Sequence, residues 1–195
     1  MGLLALSAPA QNVVIQEILY DPAQTYPEGD ANGDGAASIS QDEFVELLNP
    51  GVVPVDITGW TLQAGTNLLF TFPACVVTGG TAVVVFSGGT PAGFLGAAQV
   101  FTAGSPWPGL PNPGAVVSLR DGTITNSAVD YTPFPDNLNE SITRYPEGTG
   151  TTFVAHSSRH PCGHAWSPGY AASGQPYPGA GVTNAPPCLP VLPFT

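Results

Sequence analysis

The stretch Asp30-Ala31-Asn32-Gly33-Asp34-Gly35, followed by Asp42-Glu43-Phe44-Val45-Glu46-Leu47-Leu48-Asn49, decides how this chain is read. Its first half sets oxygen side chains at alternate positions ahead of a glycine, the D-x-[DN]-x-[DN]-G pattern of a calcium loop. Calcium takes roughly six to eight oxygen ligands, and the glycine permits the sharp turn around it. The second half decides the fold. Counted from Asp30, the twelfth position is Gln41, where an EF-hand carries a bidentate Glu; Asp42 and Glu43 come one and two residues late. The segment leaving the loop alternates with period two instead of presenting a helical stripe. It reads as a strand, so calcium is expected within a β framework. Asp30, Asn32 and Asp34 are the expected ligands, closed by Asp42 or Glu43, with Asp21 and Asp56 as secondary candidates. The alternative is an Asn/Asp/Gly turn held by its own side-chain hydrogen bonds.

Outward from this stretch, 24 glycines and 22 prolines cut the chain into short apolar runs. No segment of helical length shows a 3.6-residue stripe free of them, which demotes helix nearly everywhere. Strands are predicted at Val13–Leu19, Glu43–Leu48, Trp60–Gln63, Leu68–Phe72, Thr81–Phe86, Ala98–Phe101, Ala115–Leu119, Ala128–Tyr131 and Ser141–Arg144. Each is short, often β-branched, and bounded by turn residues. Strands at this spacing point to an all-β sandwich or barrel. Phe44, Glu46 and Leu48 share one face of their strand, which places Glu46 near a strand end or facing the calcium loop. Trp60, after the turn Thr58-Gly59, is expected in the core. The Pro/Gly-rich region 167–195 is expected to be extended, with no regular structure forced onto it.

The run Val14-Ile15-Gln16-Glu17-Ile18-Leu19-Tyr20-Asp21-Pro22 resembles the opening strand of the lamin tail domain as found in secreted bacterial proteins. The acidic loop with Asp42-Glu43-Phe44-Val45-Glu46-Leu47-Leu48-Asn49 continues the likeness, as do Val55-Asp56-Ile57-Thr58-Gly59-Trp60-Thr61-Leu62, Ser141-Ile142-Thr143-Arg144-Tyr145-Pro146-Glu147-Gly148 and Ser167-Pro168-Gly169. Gln16 stands where that family often has asparagine. The resemblance covers about residues 13–172. It implies an immunoglobulin-like β-sandwich and a non-catalytic, interaction-type role. The expected organisation is a signal-peptide remnant at 1–10, a lamin-tail-like sandwich over 11–172, and an extended tail over 173–195.

Composition narrows the setting. Charged residues make up 9% of the chain, where about 25% is usual. There are three arginines (Arg120, Arg144, Arg159), no lysine, and a net charge of −11; nine of the fourteen acids fall before residue 60 with no base among them. A nucleic-acid partner needs a basic footprint, and an anionic membrane surface needs basic clusters; the chain has neither. Schiff-base chemistry is excluded by the absence of lysine. Gly2-Leu3-Leu4-Ala5-Leu6 followed by Ala8-Pro9-Ala10 reads as the end of a signal peptide cleaved before Gln11, which fits export to the extracellular space or cell surface. No other apolar run approaches the ~20 residues of a membrane span.

Three cysteines are an odd count. Cys162 and Cys188 flank a Pro/Gly-rich stretch and form the preferred disulfide, with Cys75 left as a buried thiol or an intermolecular partner; other pairings stay open. His156, His160, Cys162 and His164 are zinc-ligand types gathered in nine residues, but they match no standard zinc spacing, and Pro161 opposes the helix that would align the first two. A polar loop is the expected reading there. Paired carboxylates for glycoside hydrolysis are not evident, because the acids cluster on one loop and the strand after it.

Lysine, proline or charge normally guards sheet edges, and this chain has little charge to spend on them. Its last residues, Pro187-Cys188-Leu189-Pro190-Val191-Leu192-Pro193-Phe194-Thr195, are apolar enough to dock on a neighbour. The leading reading is a secreted, non-catalytic, calcium-stabilised structural or adhesive module. It self-assembles with like subunits into an oligomer or filament at the cell surface. An accessory domain recognising a polymer or partner protein is the second reading, and a metal-dependent hydrolase the third.

Overall fold

The computed structural model describes residues 13–93 and 95–181. The expected signal-peptide remnant, Cys188 and the apolar end 187–195 lie outside them. Among the described residues, twelve strands form: β1 Val14–Leu19, β2 Phe44–Leu48, β3 Val55–Asp56, β4 Thr61–Ala64, β5 Asn67–Thr71, β6 Val76–Val77, β7 Ala82–Phe86, β8 Gln99–Thr102, β9 Val116–Asp121, β10 Ile124–Asp130, β11 Ile142–Tyr145 and β12 Thr152–Ala155. They build a six-stranded sheet in the order β12-β11-β1-β2-β7-β8, a four-stranded sheet β10-β9-β4-β5, and a small β3-β6 pair. All pairings are antiparallel except β7 with β8. This is the expected immunoglobulin-like β-sandwich.

The main core lies between the two larger sheets. Ile15, Ile18, Val45, Leu47, Val83 and Val85 from one sheet meet Leu62, Leu69, Val117, Leu119 and Val129 from the other. At one end, Tyr20 and Tyr131 stack at 4.6 Å, and each hydroxyl donates to a proline carbonyl, of Pro135 and Pro111 respectively. A phenol buried at one end and bonded at the other satisfies both its halves. Trp60 is half-buried and packs against the core from its rim; Phe72, 1% exposed, takes the interior position instead.

β2 and β7 are buried on both faces. Strands read as near-continuous apolar runs when both of their faces are covered. Here the second cover is not another sheet. It is the segment 165–180, with the connection between β7 and β8. Leu19, Phe44, Val84 and Phe86 cluster with Ala31, with Leu95, Ala98 and Trp166 packed against them. Leu48 and Ala82 cluster with Ala171 and Tyr177. Packing therefore runs past residue 172: Tyr177 is 4% exposed, Gly179 N–H bonds the Gly80 carbonyl, and Pro178–Ala180 forms a 3-10 turn. Gly169 belongs to this cover by necessity. Its φ is +85°, and a Cβ there would lie 2.1 Å from the Leu95 carbonyl oxygen.

Glu46 does not sit at a strand end, nor does it face the acidic loop. It occupies the middle of β2 and is fully buried beneath the 165–180 segment. The placement follows from its shared face with Phe44 and Leu48: that face is covered, so the acid is covered with it.

Candidate functional site

The acidic loop folds back on itself through its own backbone. Asp30 accepts the N–H groups of Asp34 (3.0 Å) and Gly35 (2.9 Å), one on each carboxylate oxygen. Asn32 Oδ1 accepts the Asp34 N–H at 2.9 Å. Asp42 closes the loop from its far end, with Oδ1 on the Asn32 N–H (3.0 Å) and Oδ2 on the Ser38 N–H (2.7 Å). The β7–β8 connection covers it: Thr90 N–H reaches Asp34 Oδ2 at 3.3 Å, and Ala92 N–H reaches the Asn32 carbonyl at 2.9 Å. Asn32 and Asp42 are fully buried and Asp30 nearly so.

Burial pushes the Asp42 carboxyl up to about 6; the Asn32 and Ser38 N–H groups pull it down, while the charges of Asp30 and Asp34 raise it further. All three arginines are engaged elsewhere: Arg120 with Thr123 and Thr125, Arg144 with Ile15 and Gly150, and Arg159 over the Tyr145 ring. Every loop carboxylate oxygen that accepts one N–H keeps a second acceptor position. The donor set is thus hard oxygen, which suits calcium chemically. Among the described residues, no three His, Cys, Asp or Glu side chains gather as a metal site by themselves.

Of the five expected ligands, Asp30, Asn32, Asp34 and Asp42 come together and Glu43 does not. Glu43 Oε2 accepts the Trp107 indole N–H (2.5 Å) and the Leu110 N–H (3.0 Å). Burial, with the charge of Asp21 adding to it, pushes its carboxyl up to about 7 against those two donors. Neighbouring residues of an extended chain point to opposite faces, so Asp42 and Glu43 cannot both serve the loop. Asp21 bonds Asn112 and Asp56 bonds the Thr58 N–H, both away from the loop.

A second polar cluster lies under the 165–180 segment, and its only sign in the sequence is the stray acid at Glu46. Glu17 accepts Ser141 Oγ–H (2.6 Å) and Ser167 N–H (3.0 Å). Glu46 accepts Gly169 N–H and the Tyr177 hydroxyl, each at 2.5 Å. Glu147 accepts Ala172 N–H at 2.6 Å. His156 is fully buried here; its Nδ1 bonds the His164 carbonyl and its Nε2 the Ser167 hydroxyl, both at 2.7 Å. A carbonyl can only accept, so Nδ1 carries the proton. Ser167 beside His156 has the pairing of a nucleophile and a base, and both are buried, at 8% and 0% exposure.

The three histidines stack, His156 on His160 at 5.7 Å and His160 on His164 at 4.3 Å between ring centroids. Cys75 is a free, buried thiol, and burial pushes it up to about 11. Among the described residues, no helix is long and apolar enough to cross a membrane.

A family model described as Lamin Tail Domain matches residues 7–133 of the chain. No curated protein matches it.

Proposed function

The chain belongs to the lamin tail domain family, a family of non-enzymatic immunoglobulin-like domains, and from that membership we propose that it is an exported structural or adhesive module that binds calcium and assembles with copies of itself. The observation that carries the calcium reading is the acidic loop. Asp30, Asn32, Asp34 and Asp42 converge there, tied down by backbone N–H groups, while every arginine is engaged elsewhere. Like charges held together cost stability, and a divalent cation offsets them. Backbone oxygens and water complete the shell in this reading, since the carboxylates alone do not.

Assembly draws its support from the sheet edges. β5 and β8 end their sheets, and neither Asn67–Thr71 nor Gln99–Thr102 carries a charge; Leu68 on β5 is 53% exposed. Uncharged edges without lysine are open to strand pairing. The Cys162–Cys188 disulfide belongs to the same reading, because Cys75 is buried and free.

Thermal melts with calcium and with chelator test the metal. Binding to the native state alone adds about 2.7 kcal/mol at a hundredfold excess over Kd. The wild-type midpoint should rise with calcium and that of Asp34→Ala should not. Identical midpoints in calcium and chelator for the wild type would falsify the calcium reading.

A further inference from the structure

A chain with fourteen acids and only 9% charged residues places three of those acids under a single segment. Glu17 on β1, Glu46 on β2 and Glu147 after β11 each hold one backbone N–H of the 165–180 strap: Ser167, Gly169 and Ala172 in turn. Tyr177 adds a fourth tie through its hydroxyl on Glu46. No lysine exists to balance them. Arg144 is spent on the Ile15 and Gly150 carbonyls and the Phe153 ring, Arg159 on Tyr145, and Arg120 lies on the other sheet. The one basic group against the cluster is His156, whose Nε2 lies 3.9 Å from Glu17, with His160 and His164 stacked behind it. The carboxylates make its attachment depend on protons.

We propose that residues 165–180 form a proton-controlled latch: the strap stays seated while Glu46 carries its proton and is released as pH rises, uncovering the outer face of the six-stranded sheet at Leu48 and Ala82. Buried carboxylates that share one site without a lysine or arginine cannot all ionise cheaply. Burial, then the charge of Glu17, drives the Glu46 carboxyl well above its ordinary 4.5, against the opposing pull of Tyr177 and Gly169. Burial also raises Glu147, with Glu17 adding to it and Ala172 and His156 opposing it. Tyr177 is raised as well, by burial and then by Glu46, so it remains a hydroxyl donor.

The sign follows from linkage. A carboxyl whose seated pKa exceeds its free value binds a proton more tightly when seated. Its contribution is complete below about 4.5 and is lost as pH climbs toward the seated value. The histidines act in the opposite direction. Burial and the neighbouring rings push His160 down from 6.5 to about 4, and His164 moves down too, so the segment leading into the strap weakens as pH falls below 6.5. The latch is therefore tightest between about 4.5 and 6.5 and opens toward alkaline pH.

Amide hydrogen exchange on the full chain tests this from pH 5.5 to 9, with rates corrected for intrinsic exchange. Opening of 165–180 should increase with pH, by at most about tenfold per pH unit for one linked proton, while β4 and β9 keep their protection. Glu46→Gln mimics the protonated acid and should flatten that rise; Glu147→Gln should reduce it. The proposal is overturned if strap protection in the wild type does not change with pH relative to β9. It is equally overturned if the variants follow the wild-type profile. Should Glu46→Gln fail to fold, the wild-type profile and Glu147→Gln decide the matter alone.

Discussion

At Gly89 a single methyl group would separate the acidic loop from its cover. A Cβ there would lie 2.2 Å from Asn32 Nδ2 and 2.6 Å from Asp34 Oδ2, and φ is +74°. The left-handed conformation alone costs a non-glycine residue about 1–2 kcal/mol. Gly89→Ala should therefore lower the melting midpoint and, by displacing Asp34, reduce the midpoint shift produced by calcium; paired melts with calcium and chelator check both effects. A variant with an unaltered calcium shift would show that the β7–β8 cover plays no part in the loop. At this scale the sequence was legible in part. Spacing alone grouped Asp30, Asn32 and Asp34. It could not choose between Asp42 and Glu43, because alternation says that the two oppose each other without saying which face meets the loop. Trp60 was likewise readable as apolar and adjacent to the core, but its place at the rim depends on Phe72 filling the interior.

Among the elements, β1 is the most constrained. It carries a register shift between Ile15 and Glu17, where Gln16 stands, and Gln16 fills that irregularity. Its Nε2 donates to Thr143 Oγ1 (3.2 Å) and the Arg144 carbonyl (3.3 Å), and its Oε1 accepts the Gly148 N–H (2.9 Å). An orphaned buried polar group costs about 1–3 kcal/mol. Gln16→Ala leaves more than one, so a loss of about 2–4 kcal/mol is expected in urea unfolding, and Gln16→Asn should lose less because it keeps an amide head. A Gln16→Ala protein as stable as the wild type would show that water satisfies these groups. The nine predicted strands all formed, since alternation and turn residues mark each one. β3, β6 and β12 went unread. Two residues are too few to show a period, and Thr152–Ala155 follows a Gly/Thr-rich turn that hides its start. The strap was invisible for a related reason: a Pro/Gly-rich segment has no periodicity, and its packing is written instead on the strands beneath it, in apolar runs such as Ala82–Phe86 that are covered on both faces.

At the scale of the whole molecule, the strap redraws where a removable tail begins. Tyr177 is buried against Glu46, and Gly179 is bonded to Gly80, so a truncation before Tyr177 would take one of its two donors from the buried Glu46 carboxylate, and one before Gly179 would break the bond to Gly80. Residues 182–195 lie outside the described residues, and they hold the apolar sequence Leu189-Pro190-Val191-Leu192-Pro193-Phe194. Proline-rich chain lies extended at low entropic cost and suits docking on a neighbouring copy. Deleting 182–195, with Cys162→Ser to avoid an unpaired thiol, should leave the sandwich and its strap folded and should abolish any oligomer or filament. Sedimentation and light scattering at high protein concentration with calcium present give the mass of each species. Two results would defeat assembly through the tail. One is a full-length protein that stays monomeric under those conditions. The other is a truncated protein that assembles as the full chain does, which would transfer the contact to the uncharged edges at β5 and β8.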